Sequence, residues 1–430
     1  RRYLAAMSRV APLVLIVEDL HWADDGVLAF LDFLARWGEG PMVILCLARH
    51  ELLEQRPSWG GGLRNGSTIE LAPLGPDESA ALMAGLLDGG VPQVLGERIT
   101  ALTEGNPLFA EEMVRMLVDR GTLRFGDGRW QLARPVDEVE IPNSVQAVLA
   151  ARLDALPENE KRIAQDAAVI GRIVWDQLVA HIARDDLGKT SERIRRLRVK
   201  DLIVPREPSS LAGAAEFGFR HVLIRDVAYE SLPKRDRAVL HREIAEWAER
   251  ELADRTEEFA ELIANHLAAA VAYEEEFDLE GGADLQELRR HAFEAAKRAA
   301  RRAWAMSQLD GARRWQTLAI ELAPKIDTPP RDIARLALDY GEIGFLLGGA
   351  SQQVAVARRA LETMLALPEP EAEDVETVAR LRGMLGNALF HEGEVEGSRA
   401  MLREGLAQLG DPHESAVRAY LNSVLGWTYW

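Results

Sequence analysis

The sequence predicts a multidomain chain that is α/β at its beginning and mostly α-helical after it. Two short apolar runs, 13–17 and 42–48, flank an amphipathic segment, as in a β-α-β unit of a parallel sheet. From residue 76 onward, apolar residues recur at helical spacing. In the last third, similar helical segments return at a spacing of roughly 40 residues, which is typical of helical-hairpin arrays. A chain of 430 residues has room for two to four such domains.

Composition and charge restrict the partners and the compartment. The chain has 51 basic and 69 acidic side chains, and a net charge of −18 repels the phosphates of nucleic acids. Its one cysteine, Cys46, cannot form an internal disulfide, so we expect a cytoplasmic protein. No apolar run approaches the roughly 20 residues of a membrane helix, so no membrane partner is expected. Because the chain lacks an initial methionine and ends on Tyr429-Trp430 inside an apolar helical pattern, we expect a segment of a longer protein.

Residues 1–75 are predicted to form the C-terminal part of a parallel-sheet core. The two apolar runs are interpreted as strands buried on both faces. Between them, a helix is expected over 27–37, with a cap at Ala23-Asp24-Asp25. A third strand is expected at 68–71, after a glycine-rich loop.

The following residues, 76–140, are predicted to form a helical lid. Glycine and proline interrupt the helical pattern at 89–92 and at 105–107. Residues 121–135 contain three glycines and a tryptophan, a composition that suits a hairpin or loop. We therefore expect a small helical domain interrupted at these two points and followed by a hairpin or loop.

A winged-helix domain is predicted for residues 141–250. Three amphipathic helices precede a short apolar strand, a turn-rich loop and an alternating strand, and helices followed by a hairpin define this unit. The helices are expected at 143–156, 158–170 and 191–200, and the strands at 202–204 and 216–220.

The last part, residues 251–430, is predicted to be an α-solenoid similar to tetratricopeptide repeats (TPR). Leu385-Gly386 recurs as Leu425-Gly426, each followed by aromatic residues. Small residues stand where two helices of such a repeat would touch, as at Ala312 and Ala319. Ser398 and Gly405 replace the usual alanines. A protein or peptide partner is expected on this array.

The strongest chemical signal is the acidic pair Glu18-Asp19, directly after the first apolar run. Charges are costly inside a sheet and useful at the carboxyl end of its strands. In phosphoryl-transfer sites the first such acid holds Mg²⁺, and the next orients or deprotonates the attacking water. We interpret the pair as a Walker B motif. The alternative is that the two acids cap the following helix.

At these residues the sequence resembles the signal-transduction ATPases with numerous domains (STAND). The similarity is to their bacterial AAA-like branch, found in large regulators and beside adenylate or guanylate cyclase domains. It rests on Glu18-Asp19-Leu20-His21-Trp22-Ala23-Asp24 and, in order along the chain, on four further strings. These strings are 43–49, 104–109, 141–145 and 219–229. The resemblance covers residues 11–250, and the later helices match loosely.

The resemblance implies roles in binding ATP or ADP with Mg²⁺ for three residues near the strands. Glu18 stands where the family often has the Mg²⁺-binding aspartate, and Asp19 where the water-polarising acid lies. Arg49 is implied to sense the γ-phosphate, which suits a guanidinium. The alternative for Arg49 is an exposed strand-end arginine paired with an acid.

Three later residues are implied to contact the nucleotide as well. Asn106 and Pro107 belong to the motif whose proline lies against the adenine. Their alternative is a helix start after a Gly-Asn turn. His221 is implied to contact the β-phosphate of ADP and so to hold the resting state. Its alternative is a packing or capping residue at a strand-to-helix junction.

No Gly-x-x-x-x-Gly-Lys-Ser/Thr motif occurs in the sequence. In the family this P-loop lies upstream of the Walker B strand, so we expect it in a preceding segment and expect this chain alone to be inactive as an ATPase. The whole regulator is expected to carry an effector domain that controls transcription or a nucleotide cyclase.

Two other functions remain open. One is an interaction scaffold without ATPase activity. The other is a winged-helix DNA-binding regulator, because helix 191–200 has five cations within its last eight residues. The net charge, together with packing expected for Ile194, Leu197 and Val199, makes DNA contact through this segment the less favoured interpretation.

Overall fold

A computed structural model describes residues 1–23, 25–63, 65–87, 90–126, 128–133, 142–277, 282–347, 349–409 and 416–430. The chain divides into two compact units, Arg1–Pro73 and Leu74–Trp430. The expected domain boundary at 140/141 lies outside the described residues.

The helices are α1 (Arg2–Val10), α2 (Asp25–Trp37), α3 (Glu51–Gln55), α4 (Pro76–Leu86), α5 (Gln93–Thr103), α6 (Pro107–Asp119), α7 (Val145–Asp154), α8 (Glu158–Ile170), α9 (Asp176–Ile182), α10 (Leu187–Val199), α11 (Val222–Glu230), α12 (Lys234–Glu251), α13 (Ala260–Phe277), α14 (Ala283–Ala305), α15 (Leu309–Leu322), α16 (Pro330–Leu347), α17 (Ala350–Leu365), α18 (Ala372–His391), α19 (Val395–Gln408) and α20 (Ala416–Trp427). The strands are β1 (Leu13–Val17), β2 (Met42–Cys46), β3 (Leu123–Gly126), β4 (Arg129–Leu132), β5 (Val174–Trp175), β6 (Ile203–Arg206) and β7 (Glu216–Phe219). Short 3₁₀ helices occupy Leu20–Trp22, Ala253–Arg255 and Ala323–Ile326.

The first unit contains the expected β-α-β arrangement. Strands β1 and β2 are parallel and in register, with Leu13 opposite Met42. The prediction that both faces are buried is wrong. Alternate residues of each strand are exposed, including Val14 at 61% and Val43 at 60%. The other face packs on a small core that includes Leu28 and Leu31 of α2, so within these residues one face of the sheet is covered.

The expected third strand at 68–71 is also wrong. These residues have no strand assignment, and Ile69 and Leu71 are 78% and 87% exposed. A strand exists only where its N–H and C=O groups meet a neighbouring strand, and among the described residues none pairs with this segment. Local β propensity at 68–71 was therefore not sufficient to form a strand.

The second unit begins with the helices that the sequence predicts, and the segment expected to be a hairpin or a loop is a hairpin. Helices α4, α5 and α6 enclose a core whose centre is formed by Met83, Leu95, Ile99 and Met113. Strands β3 and β4 pair antiparallel beside it.

The next part contains the predicted helices α7, α8 and α10 and the strand pair β6–β7. Two elements escaped prediction: β5, which makes the sheet three-stranded in the order β5-β7-β6, and the short helix α9. Val199 is 78% exposed, contrary to the expectation that it packs inward. It follows the buried Leu197 by two residues, which is more than half a helical turn, so it points away from the core.

The remaining helices, α12–α20, form successive antiparallel hairpins in which each helix packs on the next. One continuous apolar cluster reaches from Leu149 to Leu336 and so joins the sheet-containing part to the first hairpins.

The two repeat positions without the usual alanine still lie at helix contacts. Ser398 is fully buried, and a Cβ at Gly405 would lie 3.2 Å from Leu421. No helix in the described ranges combines the length and apolarity needed to cross a membrane.

Candidate functional site

The acidic pair and Arg49 follow the two parallel strands at the same edge of the sheet. Val17 ends β1 opposite Cys46 at the end of β2. Beyond the strands, the N–H of Leu47 donates to the carbonyl of Val17 at 2.8 Å, and the N–H of Leu20 donates to that of Leu47 at 2.9 Å. These bonds hold together the two segments that carry Glu18-Asp19 and Arg49.

The backbone bends sharply at Asp19. Its φ is +54°, in the left-handed region that few residues other than glycine adopt. Asp19 precedes the 3₁₀ helix Leu20–Trp22, but its side chain makes no capping hydrogen bond to it. Glu18 is exposed and Asp19 is half-buried. The alternative of acids capping the next helix is not realised at this 3₁₀ helix, and Asp24, before α2, lies outside the described residues.

Arg49 is exposed and contacts the segment after β1 in two ways. Its backbone N–H donates to Nδ1 of His21 at 3.4 Å. Its guanidinium carbon lies 5.9 Å from the ring centroid of Trp22. Both contacts orient the end of β2 relative to the acidic pair.

His21 was not identified as a site residue from the sequence, although it stands two residues after Asp19. Because Nδ1 accepts a hydrogen bond, the neutral ring carries its proton on Nε2. Nε2 is buried and has no hydrogen-bond partner among the described residues. The signal that could have identified His21 was its position within residues 18–24, the segment that carries the resemblance.

Asn106 and Pro107 form the beginning of α6. The side-chain oxygen of Asn106 accepts a hydrogen bond from the N–H of Phe109 at 3.1 Å, and Pro107 is the first helical residue. This is the helix start that the alternative interpretation predicted. The adenine contact remains a hypothesis.

His221 precedes α11, and its side chain makes no capping bond to that helix. Its Nε2 is buried without a partner in the described part of the chain. The neighbouring Arg220 lies 3.2 Å from Asp201 and 3.8 Å from Glu111 of α6. An ion network therefore joins the start of α11 to the helix that begins with Pro107.

The six residues thus fall into two groups, each within one unit. Glu18, Asp19 and Arg49 lie in the first unit, and Asn106, Pro107 and His221 lie in the second. Carboxylates are suitable ligands for Mg²⁺, which usually binds one or two of them together with phosphate and water. The acidic pair fits that mode. Within the described ranges, no cluster of three or more His, Cys, Asp or Glu residues could hold a metal alone.

No protein-family model matches the sequence. An uncharacterised protein of Rhizobium meliloti (strain 1021) is 27% identical over an alignment of 272 positions, and the alignment covers 56% of this chain and 23% of that protein. The chain therefore matches less than a quarter of the length of this curated relative. A STAND protein with a tetratricopeptide-repeat sensor, from Pyrococcus horikoshii, aligns with 97% of this chain and 65% of its own at 14% identity, with a TM-score of 0.35. A TM-score of this size does not establish a shared fold, so the assignment of function depends on the residues above.

Proposed function

We propose that this chain belongs to an ATP-dependent signal-transduction regulator, in which a nucleotide site controls a helical interaction array. One observation carries the proposal: Glu18-Asp19 and Arg49 follow adjacent parallel strands at one edge of the sheet. Sites that bind nucleotides in α/β sheets lie at this carboxyl edge.

Each residue has a distinct task in this proposal. Glu18 holds Mg²⁺, and Asp19 accepts a proton from the attacking water. Arg49 stabilises charge on the γ-phosphate. His21 positions Arg49 by accepting a hydrogen bond from the backbone N–H of Arg49. Bound Mg-ATP supplies the phosphoanhydride that is hydrolysed. Such a site needs a P-loop, which these 430 residues do not contain, so the proposal concerns a protein that joins them to one.

The second unit is proposed to transmit the nucleotide state. Residues 141–250 act as a winged helix that serves as a switch, and α12–α20 act as a TPR-like array that binds a protein or peptide. His221 contacts the β-phosphate of ADP. Its unpartnered Nε2 supports this role, because a buried polar atom without a partner is costly unless another state satisfies it. The output is an effector domain that acts on transcription or a nucleotide cyclase.

The contacts of the basic helix α10 favour this switch over DNA recognition. Arg195 and Arg196 both pair with Glu192, at 2.7 and 3.2 Å. Lys200, which directly follows α10, lies 2.7 Å from Glu160. These acids compete directly with phosphate for the cations that a DNA-binding helix would need.

ATP turnover by the natural protein that contains residues 1–430 tests the proposal. Asp19→Asn should lower turnover by about 10²–10⁴-fold, because the amide keeps the shape but cannot accept a proton. The affinity for ATP should stay unchanged. Glu54→Gln, an exposed carboxylate on α3, is the matched control and should have no effect on turnover. Wild-type turnover in Asp19→Asn would refute the Walker B assignment. No turnover in the wild type would favour the scaffold without ATPase activity.

A further inference from the structure

A groove of about 440 Å³ lies between α14 and α16. Among the described residues, α16 packs along α18 and α18 along α20, whereas α14 and α16 leave this space between them. Its volume is within the range of pockets that bind small organic ligands, about 300–1,000 Å³. The groove is therefore an opening in otherwise regular helix packing.

The two walls of the groove carry opposite charges. The wall formed by α14 presents Arg290, Lys297 and Arg301. The opposite wall presents Asp332 and Asp339 of α16, and Asp327 from the turn before it. Each wall also has one residue of the other sign, Glu294 on the basic wall and Arg335 on the acidic wall. The net pattern is a basic side facing an acidic side.

The charges do not neutralise one another across the space. On the α14 wall, Arg290 pairs with Glu287 and Lys297 pairs with Glu294 at 3.0 Å, both on the same helix. In the parts of the chain that the structure describes, no ion pair within 4.0 Å joins the two walls. Desolvation by the surrounding walls, and then the nearby Glu342, raise the pKa of Asp339. Because the two walls do not pair with each other, a ligand that carries both a positive and a negative group could pair with each of them.

The floor of the groove is apolar, with two polar groups. Phe293 and Leu336 are each 6% exposed, and Nζ of Lys297 lies 4.8 Å from the ring centroid of Phe293. Gln316 is also buried, and its Nε2 donates to the carbonyl of Leu336 at 2.9 Å. The hydroxyl of Thr328, another lining residue, is buried and has no hydrogen-bond partner in the described ranges.

We propose that this groove binds a short zwitterionic peptide with an apolar side chain. The carboxylate terminus lies on the α14 wall, the ammonium terminus lies on the α16 wall, and the side chain lies on the apolar floor beside Leu336. A polyanion would meet the acidic wall, a polycation would meet the basic wall, and a neutral apolar ligand would bury charges without pairing them. Each peptide residue extends the chain by about 3.3–3.6 Å, so a dipeptide or tripeptide separates its two charges further than a free amino acid does.

This inference rests on the proposed function, in which the array binds a protein or peptide, only for its biological meaning. Binding itself needs no nucleotide and is measured without it. Loss of peptide binding and loss of ATP turnover in Asp19→Asn are therefore separate results, and either proposal fails alone.

Saturation-transfer NMR with the 430-residue protein and a panel of free dipeptides of leucine, phenylalanine, valine and alanine tests the proposal. At least one dipeptide should bind, and calorimetry should show that its N-acetylated, C-amidated form binds at least about tenfold more weakly. Arg301→Ala and Asp339→Asn should each weaken the free dipeptide about tenfold.

Arg359→Ala and Glu362→Gln are matched controls, because both side chains are exposed on α17 outside the groove. They should leave the dissociation constant unchanged. The proposal is overturned if no dipeptide binds, if the blocked form binds equally well, if inorganic phosphate displaces the dipeptide, or if the controls weaken binding as much as the groove variants.

Discussion

Arg152 of α7 buries its guanidinium against the carboxylate of Glu112 of α6, and the two side chains are only 2% and 0% exposed. The same guanidinium reaches Asp119 at 3.1 Å and donates to the carbonyl of Lys200 at 2.7 Å. One side chain thus connects α6, its own helix and the residue that follows α10. The two carboxylates and the carbonyl satisfy a charge that would be costly to bury alone.

Removal of the cation should cost more than removal of the anion. Arg152→Met leaves the buried Glu112 charge without its partner and should lower the free energy of unfolding by about 3–5 kcal/mol. Glu112→Gln leaves Arg152 paired with Asp119 and Lys200, so its loss should be smaller. Urea unfolding monitored by circular dichroism measures both. As a control, Lys161→Met, in a pair whose Asp154 side chain is 67% exposed, should cost less than about 1 kcal/mol. Equal losses in the two buried variants would contradict this account of the pair.

A second buried charge, Asp166 of α8, should make stability depend on pH. Desolvation raises the pKa of Asp166 to about 6, against the opposing effect of Arg162, whose Nε is 2.9 Å from Oδ1. Glu243 of α12 raises this pKa further and is itself paired with Arg184 at 2.7 Å. Between about pH 4 and pH 6 the folded chain holds a proton that the unfolded chain has released, so stability falls as pH rises through this window.

Asp166→Asn should remove this penalty. At pH 7.5 the variant should be more stable than the wild type by about 1–3 kcal/mol, and near pH 4 the two should be similar. Urea titrations at several pH values provide the measurement. Asp154→Asn changes an exposed carboxylate and should leave the pH dependence as it is. A variant that is less stable than the wild type at pH 7.5 would show that the ion pair with Arg162 outweighs the cost of burial.

The sequence predicted the elements whose signals are local. Helix α6 begins at Pro107 because Asn106 caps it, and both residues are adjacent in sequence. Strands β6 and β7 were found from alternation and a turn-rich loop. Two of the failures concern pairing at a distance, and one of these is Ile69, which has β propensity but no neighbouring strand among the described residues. Strand β5, only two residues long, is defined by its pairing with Phe217 and Glu216, which no local pattern reveals.

The candidate site shows the same limit. Glu18-Asp19 and Arg49 could be named as candidate site residues because the sequence shows charged residues directly after predicted strands. His21 escaped because its importance comes from a hydrogen bond to Arg49, 28 residues away. The groove between α14 and α16 was not predicted either, because its opposing walls belong to two helices that the whole of α15 separates in the sequence.

The 430-residue chain alone should neither hydrolyse ATP nor bind it tightly. The backbone amides and the lysine of a P-loop carry most of the recognition of the phosphates, and the sequence has no such motif. Calorimetry with Mg-ATP provides the measurement. Micromolar affinity would show that the nucleotide site has been placed wrongly.

Replacing Arg195 and Arg196 by alanine should leave any DNA association of the natural protein unchanged. Both guanidiniums already pair with Glu192 on the surface of α10. Fluorescence anisotropy at two salt concentrations checks this, because direct phosphate contacts would give a steep salt dependence that the double variant would reduce. A large loss of affinity would instead favour the DNA-reading interpretation.

The last prediction concerns His221 in the natural protein. Its ring lies where β7 leads into α11, beside Arg220, which the ion network with Glu111 ties to α6. If the unpartnered Nε2 donates to the β-phosphate of ADP, His221→Ala removes one hydrogen bond to a charged group. Such a bond contributes about 1.5–3 kcal/mol, so ADP should dissociate at least about tenfold faster, and the active population should rise. His181→Ala, on α9, is the matched control. Stopped-flow release of a fluorescent ADP measures the rates. An unchanged ADP off-rate in His221→Ala would assign this histidine to packing and leave the switch without its proposed contact.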